Sequence, residues 1–266
     1  MNRIVALSIG LILGGALLLG CSYIMVKGDI TMFNSKDSHY IRKDYECSDE
    51  IRDIDVTESS GTVIVQRGSV DKVSVSYSDK EKESLYDISE SDGNLTIERR
   101  KDEGFHIFQI DFTDRKMVIT VPEDFKGYLN VTNTSGTVQM DNIDAEQVSI
   151  KNSSGSIKLK DVSVEGDLGV KNTSGSVKLT DVEAGGNVKA ENTSGSIKFE
   201  NLKSGGDISL ETTSGSVKGT IDGKESDYRI RSSVSSGSCN LKDSDEGDKE
   251  LNAHVTSGSI KINFTE

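Results

Sequence analysis

A Ser-Gly dipeptide returns at nearly fixed intervals through the second half of this chain, and that recurrence constrains the fold more than any other feature. It stands at Ser135-Gly136, Ser154-Gly155, Ser174-Gly175, Ser194-Gly195, Ser214-Gly215, Ser236-Gly237 and Ser257-Gly258, so the glycines step by 19, 20, 20, 20, 22 and 21 residues. Self-similarity at this period marks a repeat architecture. Each glycine is followed by a small hydroxyl residue, then an apolar one (Val138, Ile157, Val177, Ile197, Val217, Cys239, Ile260). Next comes a mostly basic residue (Gln139, Lys158, Lys178, Lys198, Lys218, Asn240, Lys261), then another apolar position (Met140, Leu159, Leu179, Phe199, Gly219, Leu241, Ile262). This period-2 alternation is the pattern of a half-buried strand. A second alternating run follows in the units that contain Leu168-Val170, Val188-Ala190 and Ile208-Leu210, each preceded by a Gly-containing turn.

A unit of about twenty residues with some six apolar side chains cannot enclose a core alone, but identical units stacked in register can. The predicted fold is therefore all-β: a β-solenoid or β-helix of roughly 20-residue coils, each coil pairing with the coils above and below. The glycines at 136, 155, 175, 195, 215, 237 and 258 are expected as corners, where positive φ is easiest. Asn152, Asn172 and Asn192 should stack as a ladder of side-chain amides, continued by Thr212. Cys239 falls in the inward Ile/Val column and is expected to be a small buried hydrophobe.

Upstream the pattern weakens. Ser60-Gly61-Thr62-Val63-Ile64-Val65 reads as a degenerate first coil and Val73 to Tyr77 as the strand after it. Tyr86 to Ile88 and Leu95 to Ile97 read as short strands around an Asp92-Gly93-Asn94 turn. Half of the 14 Tyr and Phe lie between Tyr77 and Tyr128, including Phe105, Phe108 and Phe112. This region is expected to be an irregular β section capping the N-terminal end of the stack, with an exposed aromatic binding patch as the alternative.

The first residues differ in kind. Ile4 to Val26 carries no charge and is long enough, as a helix, to cross a bilayer. In the favoured reading it is an uncleaved anchor with everything after Lys27 outside the cell. In the alternative, Leu18-Leu19-Gly20-Cys21 is a lipobox, and the chain is cut before Cys21 and lipidated on its thiol. The apolar residues Tyr23 to Val26 beyond the cysteine favour the anchor. The predicted organisation is an anchor over 1–27, a polar stalk over 28–49, the cap over 50–132 and the repeat over 133–266.

This division also accounts for a composition that is only 33% apolar with net charge −13, since one segment holds a large share of the apolar residues. The charge argues against nucleic acid as a partner, because phosphate binding needs clustered Lys and Arg. His39, His106 and His254 lie in different regions, and none stands at ligand spacing from a Cys or acidic residue, so neither a metal nor another cofactor is expected. The Ser-Gly pairs read as turns, not nucleophiles. The columns Asp161, Asp181, Asn201 and Asp167, Asn187, Asp207 are candidates for Ca²⁺, but read more simply as solvated turn residues. The column Lys158, Lys178, Lys198 and Lys218 is the one candidate ligand-facing set, suited to an anionic cell-wall polymer.

Ile119-Thr120-Val121-Pro122-Glu123-Asp124-Phe125-Lys126-Gly127, Leu129-Asn130-Val131 and Asn133-Thr134-Ser135-Gly136, followed by the Ser-Gly-Ser-Val/Ile-Lys units, resemble the putative adhesin family of β-strand-repeat surface proteins of bacteria. The resemblance covers about residues 50 to 264 and implies a single N-terminal anchor, a domain of unknown function and no catalytic residues. Some members are encoded near envelope-stress regulators. Three functions follow as expectations: a non-enzymatic tethered module in adhesion or envelope structure; an accessory regulator or sensor of envelope stress that binds a peptide, lipid or protein; and, least favoured, a polysaccharide-active β-helix enzyme.

Overall fold

The computed structural model describes residues 40–81, 83–100 and 115–266. The predicted anchor and Cys21 lie outside the described residues, as do Phe105, Phe108, Phe112, His39 and His106. The described chain is all-β, with one short 3₁₀ turn at Glu225–Asp227. Among the described residues no helix is long and apolar enough to cross a membrane.

The regular section is built as the repeat predicts. Strands β8 (Tyr128–Ser135), β10 (Gln147–Ser154), β12 (Leu168–Ser174), β14 (Val188–Ser194) and the first half of β16 (Ile208–Ile221) pair in parallel, in that order. A second column runs through β9 (Val138–Ala145), β11 (Ile157–Val164), β13 (Val177–Ala184), β15 (Ile197–Ser204) and the second half of β16. Each residue faces its repeat equivalent: Ile157 pairs with Val138 and Val177, and Leu159 with Met140 and Leu179. The arrangement is consistent with the expected solenoid. One coil buries Ile157, Leu159, Val162, Val164, Leu168 and Val170, all at 2% exposure or less, so six side chains from each thin layer join one continuous core.

Three corners turn each coil. At the Ser-Gly corner Gly175 has φ 115°, and a Cβ there would overlap the carbonyl oxygen of Gly155 one coil below; the other glycines of the column meet the same two constraints. A second corner lies inside β9, β11, β13 and β15, in the column that the sequence reads as solvated turn residues. Asn142, Asp161, Asp181 and Asn201 adopt φ of 51° to 54° there. Asn and Asp tolerate this left-handed conformation better than other side chains, and the next residue then points inward again. Glu165-Gly166 and its Gly-Gly equivalents form the third corner.

Both ends of the stack depart from sequence order. At the C-terminal end, β18 (Lys249–Phe264) lies directly on β16, and β17 (Tyr228–Cys239) lies on the far side of β18. The last coil in sequence is therefore the penultimate coil in space. At the other end, β2 (Asp53–Glu58) lies between β6 (Asn94–Arg99) and β8, and β3 (Thr62–Arg67) between β7 (Lys116–Val121) and β9. The degenerate first coil is thus a true coil, covered on its outer side by a later one.

This inversion corrects the reading of Cys239. Its register is the predicted one, opposite Ile260, but β17 is the outermost strand and the thiol is exposed. The buried cysteine is Cys47, whose thiol is pushed up to about 12 by burial and by the Glu90 carboxylate nearby.

The expected cap is formed by antiparallel strands. β4 (Ser74–Lys80) pairs with β7, and β5 (Tyr86–Ser91) with β6 through a turn in which Asp92 and Gly93 have positive φ. Strand β1 (Tyr40–Glu46) adds to the edge of β4, so the end of the expected 28–49 stalk belongs to the folded domain. Tyr77 and Tyr86 pack edge to face at 5.4 Å, and both are buried with Phe125. The described cap aromatics are therefore core rather than a binding patch, apart from Tyr128, which is exposed. Beside them Glu58, 1% exposed, accepts hydrogen bonds from the Tyr86 hydroxyl (2.6 Å), the Ser59 and Ser60 amides and Arg99 (3.2 Å). Burial and the adjacent Glu58 carboxylate push the Tyr86 hydroxyl well above the ordinary tyrosine range.

Candidate functional site

The recurrent polar residues sort into columns with distinct roles. In the first, Asn133, Asn152, Asn172 and Asn192 are buried, and each Nδ2 donates to the carbonyl of a glycine one coil below: Gly61 (3.1 Å), Gly136 (3.1 Å), Gly155 (3.2 Å) and Gly175 (2.9 Å). Thr212 does the same through Oγ1 to Gly195 at 3.0 Å. The expected amide-to-amide ladder is thus an amide-to-backbone ladder, and it serves a carbonyl left without a strand partner at the corner. Its cost is that each Oδ1 is buried without a partner.

The columns weighed for Ca²⁺ also hold neighbouring coils together. Asp167 Oδ1 accepts the Asn187 amide (2.7 Å), Asn187 Oδ1 the Asp207 amide (2.9 Å), and Asp207 Oδ1 the Glu250 amide (2.7 Å). Asn201 Nδ2 donates to Asp181 Oδ1 at 2.7 Å. Among the described residues no group of three His, Cys, Asp or Glu side chains is placed to hold a metal ion. His254 is hydrogen-bonded to Ser233 Oγ at 2.6 Å on the surface.

The lysine column is different. In-register pairing brings Lys158, Lys178, Lys198 and Lys218 onto successive coils. Lys261 joins them, because β18 seats directly on β16 and sets Lys218 opposite Lys261, with Asn240 following Cys239 on the outermost strand instead of lying between them. The result is five exposed lysines on five consecutive rungs, with a rung spacing of about 4.8 Å. Among the described residues none of the five has an acidic partner, whereas several other lysines of the stack do. Lys126 meets Glu165 at 3.0 Å, Lys171 and Lys189 both meet Glu191 at 2.8 and 2.7 Å, and Lys203 meets Glu183 at 2.8 Å. The hydrogen bonds from Lys171 and Lys189 hold the Glu191 carboxyl below its usual range.

Two residues before each lysine runs a half-buried column of hydroxyls, Ser156, Ser176, Ser196, Ser216 and Ser259, with Ser156 and Ser176 oxygens 3.1 Å apart and Ser216 and Ser259 oxygens 3.2 Å apart. The next outward column carries both signs, Asp141, Lys160, Thr180 and Glu200, and Lys160 is held by Asp161 at 3.1 Å.

A separate groove of about 740 Å³ opens beside the N-terminal cap, lined by the buried Ile51, Val73 and Phe125 and by charges of both signs, with Arg52, Lys72 and Lys126 outnumbered by six acids such as Asp71 and Glu146. The sequence does not reveal it, because its walls come from four separate segments of the chain, around residues 51, 72, 125 and 146.

Comparison with known proteins bears on the whole domain. Residues 51–266 match the family model described as Toastrack DUF4097. Among curated proteins nothing matches the chain. Among solved structures, a putative cell adhesion protein from Clostridium sporogenes aligns over 85% of this chain and 100% of its own, at 12% identity and a TM-score of 0.46. A putative adhesin from Bacteroides fragilis covers 86% of this chain and 98% of its own (15% identity, TM-score 0.36). One from Parabacteroides merdae covers 85% and 96% (14% identity, TM-score 0.34).

Proposed function

Because the chain belongs to the Toastrack DUF4097 family, we propose that it is a non-enzymatic, membrane-tethered β-solenoid displayed outside the cell, acting in adhesion or envelope structure. The observation that carries this reading is the use made of the recurrent polar residues. The Asn, Asp and Gly columns bond one coil to the next, whereas the five lysines of one column face outward with no acidic partner among the described residues. Such an arrangement offers a long periodic surface instead of a convergent catalytic constellation. The apolar run over Ile4–Val26 supplies the tether, and β1 joins the cap close to it in sequence.

The test is topology in intact cells. A membrane-impermeant amine reagent should label the lysines of the domain from outside, and the protein should fractionate with membranes. A domain shielded until the cells are lysed would overturn the reading. Mass spectrometry of the mature N-terminus then separates an uncleaved anchor from a lipid-modified Cys21.

A second reading, an accessory regulator or sensor of envelope stress, is favoured by the groove beside the cap, whose apolar base and charged rim suit a peptide or lipid headgroup. Lys72→Glu with Lys126→Glu should then abolish stress signalling while leaving surface display intact; unchanged signalling would remove this reading.

A further inference from the structure

We propose that the five-lysine ladder binds a linear polyol phosphate, a chain of phosphodiesters joined by hydroxyl-bearing carbons, laid along the axis of the stack. The proposal deepens the outward-facing module described above, and it is tested on purified protein, so its failure is distinguishable from failure of that reading.

Three observations carry it. First, the chain has 44 acidic and 31 basic residues, yet Lys158, Lys178, Lys198, Lys218 and Lys261 stand on consecutive rungs with no carboxylate among the described residues paired to any of them. Like charges on adjacent strands repel. Surrounding lysines such as Lys171, Lys189 and Lys203 relieve this with glutamates one coil away or within the same strand. The ladder leaves the repulsion in place, and a polyanion would relieve it.

Second, the geometry is that of a repeating ligand. Four rung steps span about 19 Å at a fixed spacing, so a chain with one charge per rung meets five ammonium groups at once. Lysine acts toward phosphate as a flexible point charge, which tolerates small mismatches in repeat length. The net charge of −13 does not prevent approach, because acids farther than about 8 Å from the ligand are screened at physiological ionic strength.

Third, the flanking column selects among polyanions. The serines at 156, 176, 196, 216 and 259 run beside the lysines and present hydroxyls, and no aromatic side chain stands in either column. Single-stranded nucleic acid is held by stacking on aromatic platforms. A ligand recognised by lysines and hydroxyls alone fits a polyol phosphate better.

The experiment uses the full chain in zwitterionic detergent and synthetic glycerol phosphate oligomers of one, three and five phosphates, read by calorimetry. The five-phosphate chain should bind at least about 100-fold more tightly than the single phosphate, since each later contact is intramolecular. The logarithm of its affinity should fall against the logarithm of salt with a slope of about −3.5, the value expected for five phosphates on a single strand. Lys158→Gln/Lys178→Gln/Lys198→Gln/Lys218→Gln should lose this binding and melt no lower than the parent. Lys151→Gln/Lys171→Gln/Lys189→Gln/Lys203→Gln, with the same net charge, should bind within about threefold of the parent, because only charges outside the ladder are lost. Affinity independent of oligomer length, equal loss in both variants, or tighter binding of a deoxyoligonucleotide with the same number of phosphates would overturn the proposal. The length and salt dependences are read on the unmodified protein, so they stand even if a variant fails to fold.

Discussion

Replacing Asn172 by Asp changes one atom and should make the stability of the domain depend on pH in a defined window. Asn172 is 1% exposed, and its Nδ2 lies 3.2 Å from the Gly155 carbonyl oxygen. An ionised carboxylate there would set two acceptors against each other with no donor between them. A protonated one can donate to the same carbonyl, so burial and the lost donor both favour the neutral acid. Full burial raises a carboxyl by about 3 units or more, from an unfolded value near 3.9. Between roughly pH 4 and pH 7 the native state then binds more protons than the unfolded state, and stability falls as pH rises, at about 1.4 kcal/mol per pH unit. Below about pH 4 the variant should lie within roughly 1 kcal/mol of the parent. By pH 7 the accumulated loss is about 4 kcal/mol, a large part of the margin of an ordinary domain. The assay is urea unfolding followed by circular dichroism at half-unit pH steps, with the parent curve subtracted. Asn172→Thr is the internal control. Thr212 holds the equivalent position and makes the same bond at 3.0 Å, and threonine lacks the partnerless Oδ1, so this variant should stay within about 1 kcal/mol at every pH. A difference curve that is flat with pH, or an Asp variant as stable as the parent at pH 7, would show that water reaches the corner and that the ladder does not serve the carbonyls.

Other consequences are equally open to measurement. Gly219 stands beside Phe199, and a Cβ at 219 would meet both the Phe199 ring and its carbonyl oxygen. Gly219→Ala should therefore cost about 1–3 kcal/mol, and adding Phe199→Leu should return part of it as a non-additive term in a double-mutant cycle; strict additivity would refute the contact. In a Cys21→Ser background one thiol, Cys239, should react with a disulfide reagent in the native protein, and Cys47 only after unfolding; fast reaction of both would contradict the burial of Cys47. Burial alone would raise Asp79, but Lys43 at 2.8 Å and the Leu85 amide at 2.7 Å, with Ser84 and the Lys80 amide, hold it below its usual value. Its contribution is present above the unfolded carboxylate value and lost as pH falls through the lower folded one, so Asp79→Asn should flatten acid unfolding in that range; an unchanged acid limb would remove Asp79 as a cause.

The regular stack was legible because every coil repeats the same choice at the same place. Val138, Ile157, Val177 and Ile197 can face one another in only one register without sending Lys158 and Lys178 inward. The order of the last coils was not legible. Gly237 and Gly258 carry the same local pattern, so β16 can accept either segment by register alone. The signal lay in strength rather than pattern. The segment that ends outermost carries Cys239 and Asn240, while the one held between two neighbours carries Ile260 and Ile262. Asp161, Asp181 and Asn201 were legible as turn residues, but Asn142 and the left-handed backbone inside a continuous strand were not, because an Asx residue beside a polar neighbour gives no sign of its φ. The lysine row was visible in the sequence, but its fifth member required the coil order.

That coil order fixes when the domain can be finished. The seat of β17 is β18, and β18 follows β17 in sequence, so it leaves the ribosome later. Until residues 249–264 arrive, any contact β17 makes with β16 must later be broken, and the growing stack ends in an open edge of the kind other chains can join. Closure therefore waits for residues 249–264, which take the place between β16 and β17. A chain truncated before residue 249 would leave β17 without the strand it pairs with, so the outermost layer depends on sequence made after it.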